Sequence, residues 1–247
     1  MDMGTQLLTG KMFSIDTGLG TIQGEIRSGS PMIIFSHGFG VKRDSRGLFT
    51  DIASSLPDKF GYALFDFNVV DGDNVYLRSY SEQVIALKSV IAMAREISLN
   101  IYIVGHSMGA ITVALLGDPL VSGAVLLAPP VSKSSGRTYF TQYPGAYRDE
   151  QDILVIPRKD GTITHVSDKF WDEAESIDPV SALQNYGKKC QLTVVRAIDE
   201  DVLRHTENYT LLSNNQGIDL LELPGNHNFD PPQRQGLIST IIDILFK

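Results

Sequence analysis

Cysteine is nearly absent: Cys190 is the one thiol in 247 residues, so no internal disulfide can form and the fold must stand on its core. Cys190 opens an apolar run, which suits a buried structural thiol better than a reactive one. No apolar run approaches the ~20 residues that a membrane-spanning helix needs. Residues 1–10 lack a basic segment followed by an apolar one, so no signal peptide is expected and a cytoplasmic location is the default. Basic residues are outnumbered, 21 against 29, which gives a formal net charge of -8. With no basic stripe along the chain, neither nucleic acid nor an anionic membrane is an expected partner. No His-rich or Cys-rich cluster is present, so no metal and no organic cofactor are expected.

What the chain does have is ordinary globular stock, 43% hydrophobic and 20% charged. Its length is enough for one full core, and a single domain over 1–247 is expected. The stretch that organises the rest is Val104-Gly105-His106-Ser107-Met108-Gly109-Ala110. A β-branched run (101–104) enters it and a helix-like pattern (111–115) leaves it. A strand turned into a helix within so few residues strains the residue at the apex and needs small neighbours. Gly105 and Gly109 supply the room, and Ser107 would stand exposed as a nucleophile beside a helix N-terminus. A tight turn with an incidental serine is the plainer alternative.

Around that motif, strands alternate with helices. Residues 13–16 and 21–26 flank Thr17-Gly18-Leu19-Gly20 as a hairpin. Residues 31–36, 62–66, 101–104, 121–128, 192–197 and 218–223 read as buried strands. Helices are expected over 48–56, from Ser81, after Gly109, over 202–213 and over 233–246. This argues for an α/β fold: a mostly parallel twisted sheet with helices on both faces. Asp71-Gly72-Asp73-Asn74 reads as a turn-rich loop. Residues 131–189 break the alternation and are expected to form a small inserted lid, with a hairpin at 152–157 and 162–166 and short helices at 170–175 and 179–186.

A serine needs a base, and the base needs a group to orient it. Such groups come from loops at the carboxyl ends of the strands. Asp199-Glu200-Asp201 follows one late strand and Gly225-Asn226-His227-Asn228 follows the last. Of the five histidines, His37 and His106 are expected to pack and hydrogen-bond beneath the site, His165 lies in the lid and His205 on a helix. His227 is the expected base. The oxyanion of an acyl-transfer intermediate would be held by the backbone N–H groups of Met108 and of Phe39, in the His37-Gly38-Phe39-Gly40 turn.

Together these motifs resemble the α/β-hydrolase superfamily over almost the whole chain, and within it the serine esterases of the feruloyl or cinnamoyl esterase-like group. The resemblance implies a carboxylesterase with a Ser107–acid–His227 triad, acting on aryl, short-acyl or hydroxycinnamoyl esters. Phe39, Tyr139, Phe140, Tyr143, Tyr147 and Trp171 would then either line an apolar pocket or only anchor the lid. Two departures stand out. Asn68 to Asn74 replaces a Gly-x-Gly-x-Ser turn. The acid loop, usually Gly-x-x-Asp, runs from Ala197 to Glu200, so Glu200 ranks ahead of Asp199, with Asp201 third. An amidase or peptidase would carry the same triad, and a silent binding protein the same fold. The expected partner is a small-molecule ester; a homodimer is left open.

Overall fold

The computed structural model of the chain describes residues 10–213 and 215–245. The N-terminal residues 1–9 and Phe246, the last residue of the final expected helix, lie outside the described residues. The chain opens with β1 (Lys11–Asp16), β2 (Thr21–Arg27) and β3 (Met32–Ser36), followed by α1 (Leu48–Ser55) and β4 (Gly61–Asp66). Then come β5 (Val69–Asp71), β6 (Asn74–Tyr76), α2 (Tyr80–Arg95), β7 (Ile101–His106), α3 (Met108–Leu116) and β8 (Gly123–Leu127). The next segment holds α4 (Gly136–Thr141), β9 (Tyr147–Arg148), β10 (Leu154–Pro157), β11 (Ile163–Val166), α5 (Asp168–Ser176) and α6 (Pro179–Gly187). β12 (Leu192–Ala197), β13 (Ile218–Leu223) and α7 (Arg234–Leu245) complete it.

Eight strands form the main sheet in the order β1-β2-β4-β3-β7-β8-β12-β13. β1, β2 and β4 pair antiparallel; every pairing from β4 to β13 is parallel. The expected mostly parallel α/β architecture is therefore what the chain adopts. Its sandwich follows from side-chain alternation along each strand. Met32 and Ile34 point to one face, with Ala124, Leu126, Leu192 and Val194, and are covered by α2, α3 and α6. Ile33 and Phe35 point to the other, with Val125, Leu127 and Val195, and are covered by α1 and α7. Strands buried on both faces explain why the sequence shows unbroken apolar runs there rather than alternation.

Three expectations need correction. The loop at Asp71–Asn74 is the turn of a hairpin, β5–β6, with Gly72 at φ 57°. That hairpin joins a second sheet, β5-β6-β11-β10-β9, in which β6 runs parallel to β11. The helix expected over 202–213 is a loop and a 3-10 turn over Thr206–Leu211. A helix over 202–213 is interrupted at His205, which sits left-handed at φ 57°, a conformation that a right-handed helix cannot continue through. His205 is thus exposed at the start of that turn rather than on a helix. Within 131–189, α6 packs on α3 as the crossover helix from β8 to β12, so the part that stands clear of the main sheet ends before it. No helix of the described residues is long and apolar enough to cross a membrane.

Candidate active site

β7, β12 and β13 are parallel, so the loops that leave them open at one edge of the sheet. Ser107 leaves β7 with φ 54° and ψ −121°, a conformation that costs a non-glycine residue free energy and holds only when its neighbours force it. They do so from three sides. The Ser107 N–H donates to the Leu127 carbonyl at the end of β8, at 2.9 Å. A Cβ at Gly109 would collide with the Ser36 and His37 carbonyl oxygens, and one at Gly105 would sit 2.8 Å from the Ala110 Cα. These glycines let α3 lie directly on the ends of β3 and β7.

The loops after β12 and β13 are zipped together. The Asp199 N–H donates to the Gly225 carbonyl at 3.0 Å, and the Gly225 N–H to Asp199 Oδ2 at 3.3 Å. The His227 N–H donates to Asp201 Oδ1 at 3.1 Å. Between them, His227 Nδ1 lies 2.9 Å from Glu200 Oε2. A carboxylate can only accept, so Nδ1 carries the proton. Nε2 of the neutral ring is then an acceptor, and Ser107 Oγ donates to it at 2.9 Å. The Glu200 side chain is only 4% exposed. Burial by itself would raise its pKa. The hydrogen bond from His227, with those from the N–H groups of Leu203 and Val202, outweighs that and holds it below its usual value. Of the three neighbouring acids, Glu200 is the one that reaches the imidazole.

Two further histidines are fixed below the site. His106 Nε2 lies 2.9 Å from the His227 carbonyl and so donates to it, while Nδ1 faces Ser45 Oγ at 3.3 Å. Both backbone groups of His227 are therefore held, one by Asp201 and one by His106. Burial, and next the nearby His227, lower the His106 pKa to about 3. His37 donates from Nδ1 to the Gly38 carbonyl and packs against Phe67 with the rings tilted by 31° and their centroids 4.0 Å apart. Burial lowers it to about 4. Both are neutral at physiological pH. His165 lies on β11, bonded to Asn74 and stacked on Tyr76.

A cavity of about 250 Å³ opens over Ser107, His227, Phe39 and Met108. A Cβ on Gly38 would stand 3.5 Å from the Ser107 Cβ, so the 38–39 turn runs beside the serine. Among the described residues, neither the Phe39 nor the Met108 N–H has a protein acceptor. The cavity roof is aromatic: the Phe39 ring stacks on Phe140 at 4.8 Å and meets Phe170 and Trp171 at 5.6 and 5.8 Å. Of the six aromatics singled out from sequence, Phe39, Phe140 and Trp171 line this cavity. Tyr139 lines a neighbouring one with Phe140, Tyr143 lies on an outer groove, and Tyr147 is exposed on β9. Sequence reasoning missed Tyr80, Phe170 and Arg158 in the wall. The helical spacing of Phe170 and Trp171 with Ala174 was the available signal for α5.

No family model and no curated protein matches the chain. Solved structures do. Est1E from Butyrivibrio proteoclasticus superposes with a TM-score of 0.70 at 14% identity, over 96% of this chain and 98% of that one. The same protein with ferulic acid bound gives 0.71 at 13% identity, over 95% and 98%. The α/β hydrolase GrgF from a Penicillium species gives 0.70 at 14%, over 96% and 98%. The chain has the α/β-hydrolase fold.

Proposed function

We propose that the chain is a serine carboxylic ester hydrolase with Ser107 as nucleophile, His227 as general base and Glu200 as the orienting acid. The observation that carries this reading is the pair of 2.9 Å hydrogen bonds from Ser107 through His227 to Glu200, at the end of a strained strand-to-helix turn. His227 Nε2 takes the serine proton as Oγ attacks the ester carbonyl. The N–H groups of Phe39 and Met108 receive the oxyanion, each such donor contributing about 2.7–4 kcal/mol in the transition state. The tetrahedral intermediate collapses, and the alcohol leaves with the proton from His227. Water then gives its proton to His227, attacks the acyl-serine, and the acid departs as Oγ recovers its proton. No step calls for a metal or cofactor.

The small aromatic cavity favours compact aryl or short-acyl esters. Ferulic acid bound to Est1E supports extending the reading to hydroxycinnamoyl esters. The segment over the cavity, carrying Phe140, Phe170 and Trp171, acts as the lid. The reading is tested by a fluorophosphonate probe together with p-nitrophenyl acetate. The protein should label on Ser107 and turn the ester over; Ser107→Ala should lose both, and His227→Ala should fall to background. A folded protein that takes no label and cleaves no ester would be a binding protein. A matched amide cleaved as fast as its ester would make it an amidase.

A further inference from the structure

Arg158 follows β10 directly and forms part of the cavity wall near Ser107. Its guanidinium lies over the Phe140 and Phe39 rings, 5.5 and 5.8 Å from their centroids. Arg43, Arg95, Arg137, Arg148, Arg196 and Arg234 each pair with a carboxylate. Arg158 does not: among the described residues no carboxylate or carbonyl accepts from its side chain, and Nη1 is buried without a partner. Arg46 shares the same wall but is matched by Asp160 at 3.1 Å. Of the two guanidinium groups in this wall, Arg46 has a carboxylate in ion-pair contact and Arg158, among the described residues, has none. Burial and the charge of Arg46 both push the Arg158 pKa down, so the cation is kept there against its surroundings. A planar fork placed over two rings, with no protein acceptor claiming its donors, is suited to a carboxylate.

We propose that Arg158 anchors a carboxylate on the substrate, so that the preferred esters carry an anionic group beside the scissile bond. The proposal rests on the ester-hydrolase reading of Ser107 and deepens it. Two matched pairs, each differing by a carboxylate against a methyl group, test it: monomethyl adipate against methyl hexanoate, for a carboxylate on the acyl side, and 4-acetoxybenzoate against p-tolyl acetate, for one on the alcohol side. In the native protein at least one anionic member should have the higher kcat/KM. Arg158→Met keeps the packing on the rings and should cut that preference roughly ten- to a hundredfold, the usual worth of a hydrogen bond to a charged group. Arg158→Lys keeps the charge but loses the fork, and should restore part of it. Neutral members preferred in both pairs, or a preference that survives Arg158→Met, would overturn the proposal. Binding of the same esters to the Ser107→Ala protein reads the anchor without turnover, and equal affinity for both members of each pair would also overturn it. Failure of the hydrolase reading shows itself separately, as no labelling and no turnover of any of the four esters.

Discussion

Asp199, Glu200 and Asp201 stand side by side, yet each carboxylate faces a different partner: the Gly225 N–H, the His227 ring and the His227 N–H. Glu200→Gln keeps the size but puts a donor before Nδ1. That would turn the ring to its other tautomer and leave Nε2 unable to take the serine proton. Ester turnover should fall by about 10⁴ in kcat, as the acid-to-amide change does in a triad. Asp199→Asn and Asp201→Asn retain an acceptor and should lose far less. Equal losses in all three variants, measured with p-nitrophenyl acetate, would remove Glu200 from its proposed role. Much of this was legible from order and strand placement alone, since Ser107, Glu200 and His227 each end an apolar run. What stayed hidden depends on packing. Nothing in the letters around Arg158 says that its counter-charge is missing, and nothing in Gly-His-Ser says that His106 holds the far loop by its carbonyl.

Along single elements, periodicity revealed those long enough to show it. The buried strands and α1, α2 and α7 stand within a few residues of their expected bounds. β5 and β6, at three residues each, are too short to display alternation, and the turn between them dominated the reading. The stretch after Glu200 had apolar spacing for a helix, but His205 in its middle turns left-handed and leaves only the short turn that follows it. The seat of α3 is the most demanding junction. Gly109→Ala would drive a methyl group into the Ser36 and His37 carbonyl oxygens, displacing the helix and the serine at its start. It should destabilise the fold by about 3 kcal/mol, the upper range for overpacking, and lower activity in the molecules that do fold. Thermal melts paired with turnover would check this; a variant of native stability would mean that α3 does not sit so close.

For the molecule as a whole, the buried histidines set an acid limit. Unfolded, His37 and His106 would each take a proton near 6.5; folded, they do so at about 4 and about 3. Between these values the unfolded chain binds more protons, so stability is full above 6.5 and falls as the pH drops. From these two groups the slope approaches about 2.7 kcal/mol per pH unit at its steepest. Urea unfolding at a series of pH values should show it, and His106→Gln should make the decline shallower; a profile no different from the native one would mean that this ring is not held neutral. Strand order was the least legible feature at this scale: nothing local places β4 outside β3, or β6 beside β11. That last pairing has a mechanical result. The backbone ahead of α2 is laddered to the proposed lid, and Glu173 and Lys169 of α5 bind Ser81 and Glu82 of α2. A roof riveted at points so distant along the chain cannot swing like a door on one hinge. Esters would have to slip in at the eaves, and the fixed shape of the room, rather than the timing of a gate, would choose among them.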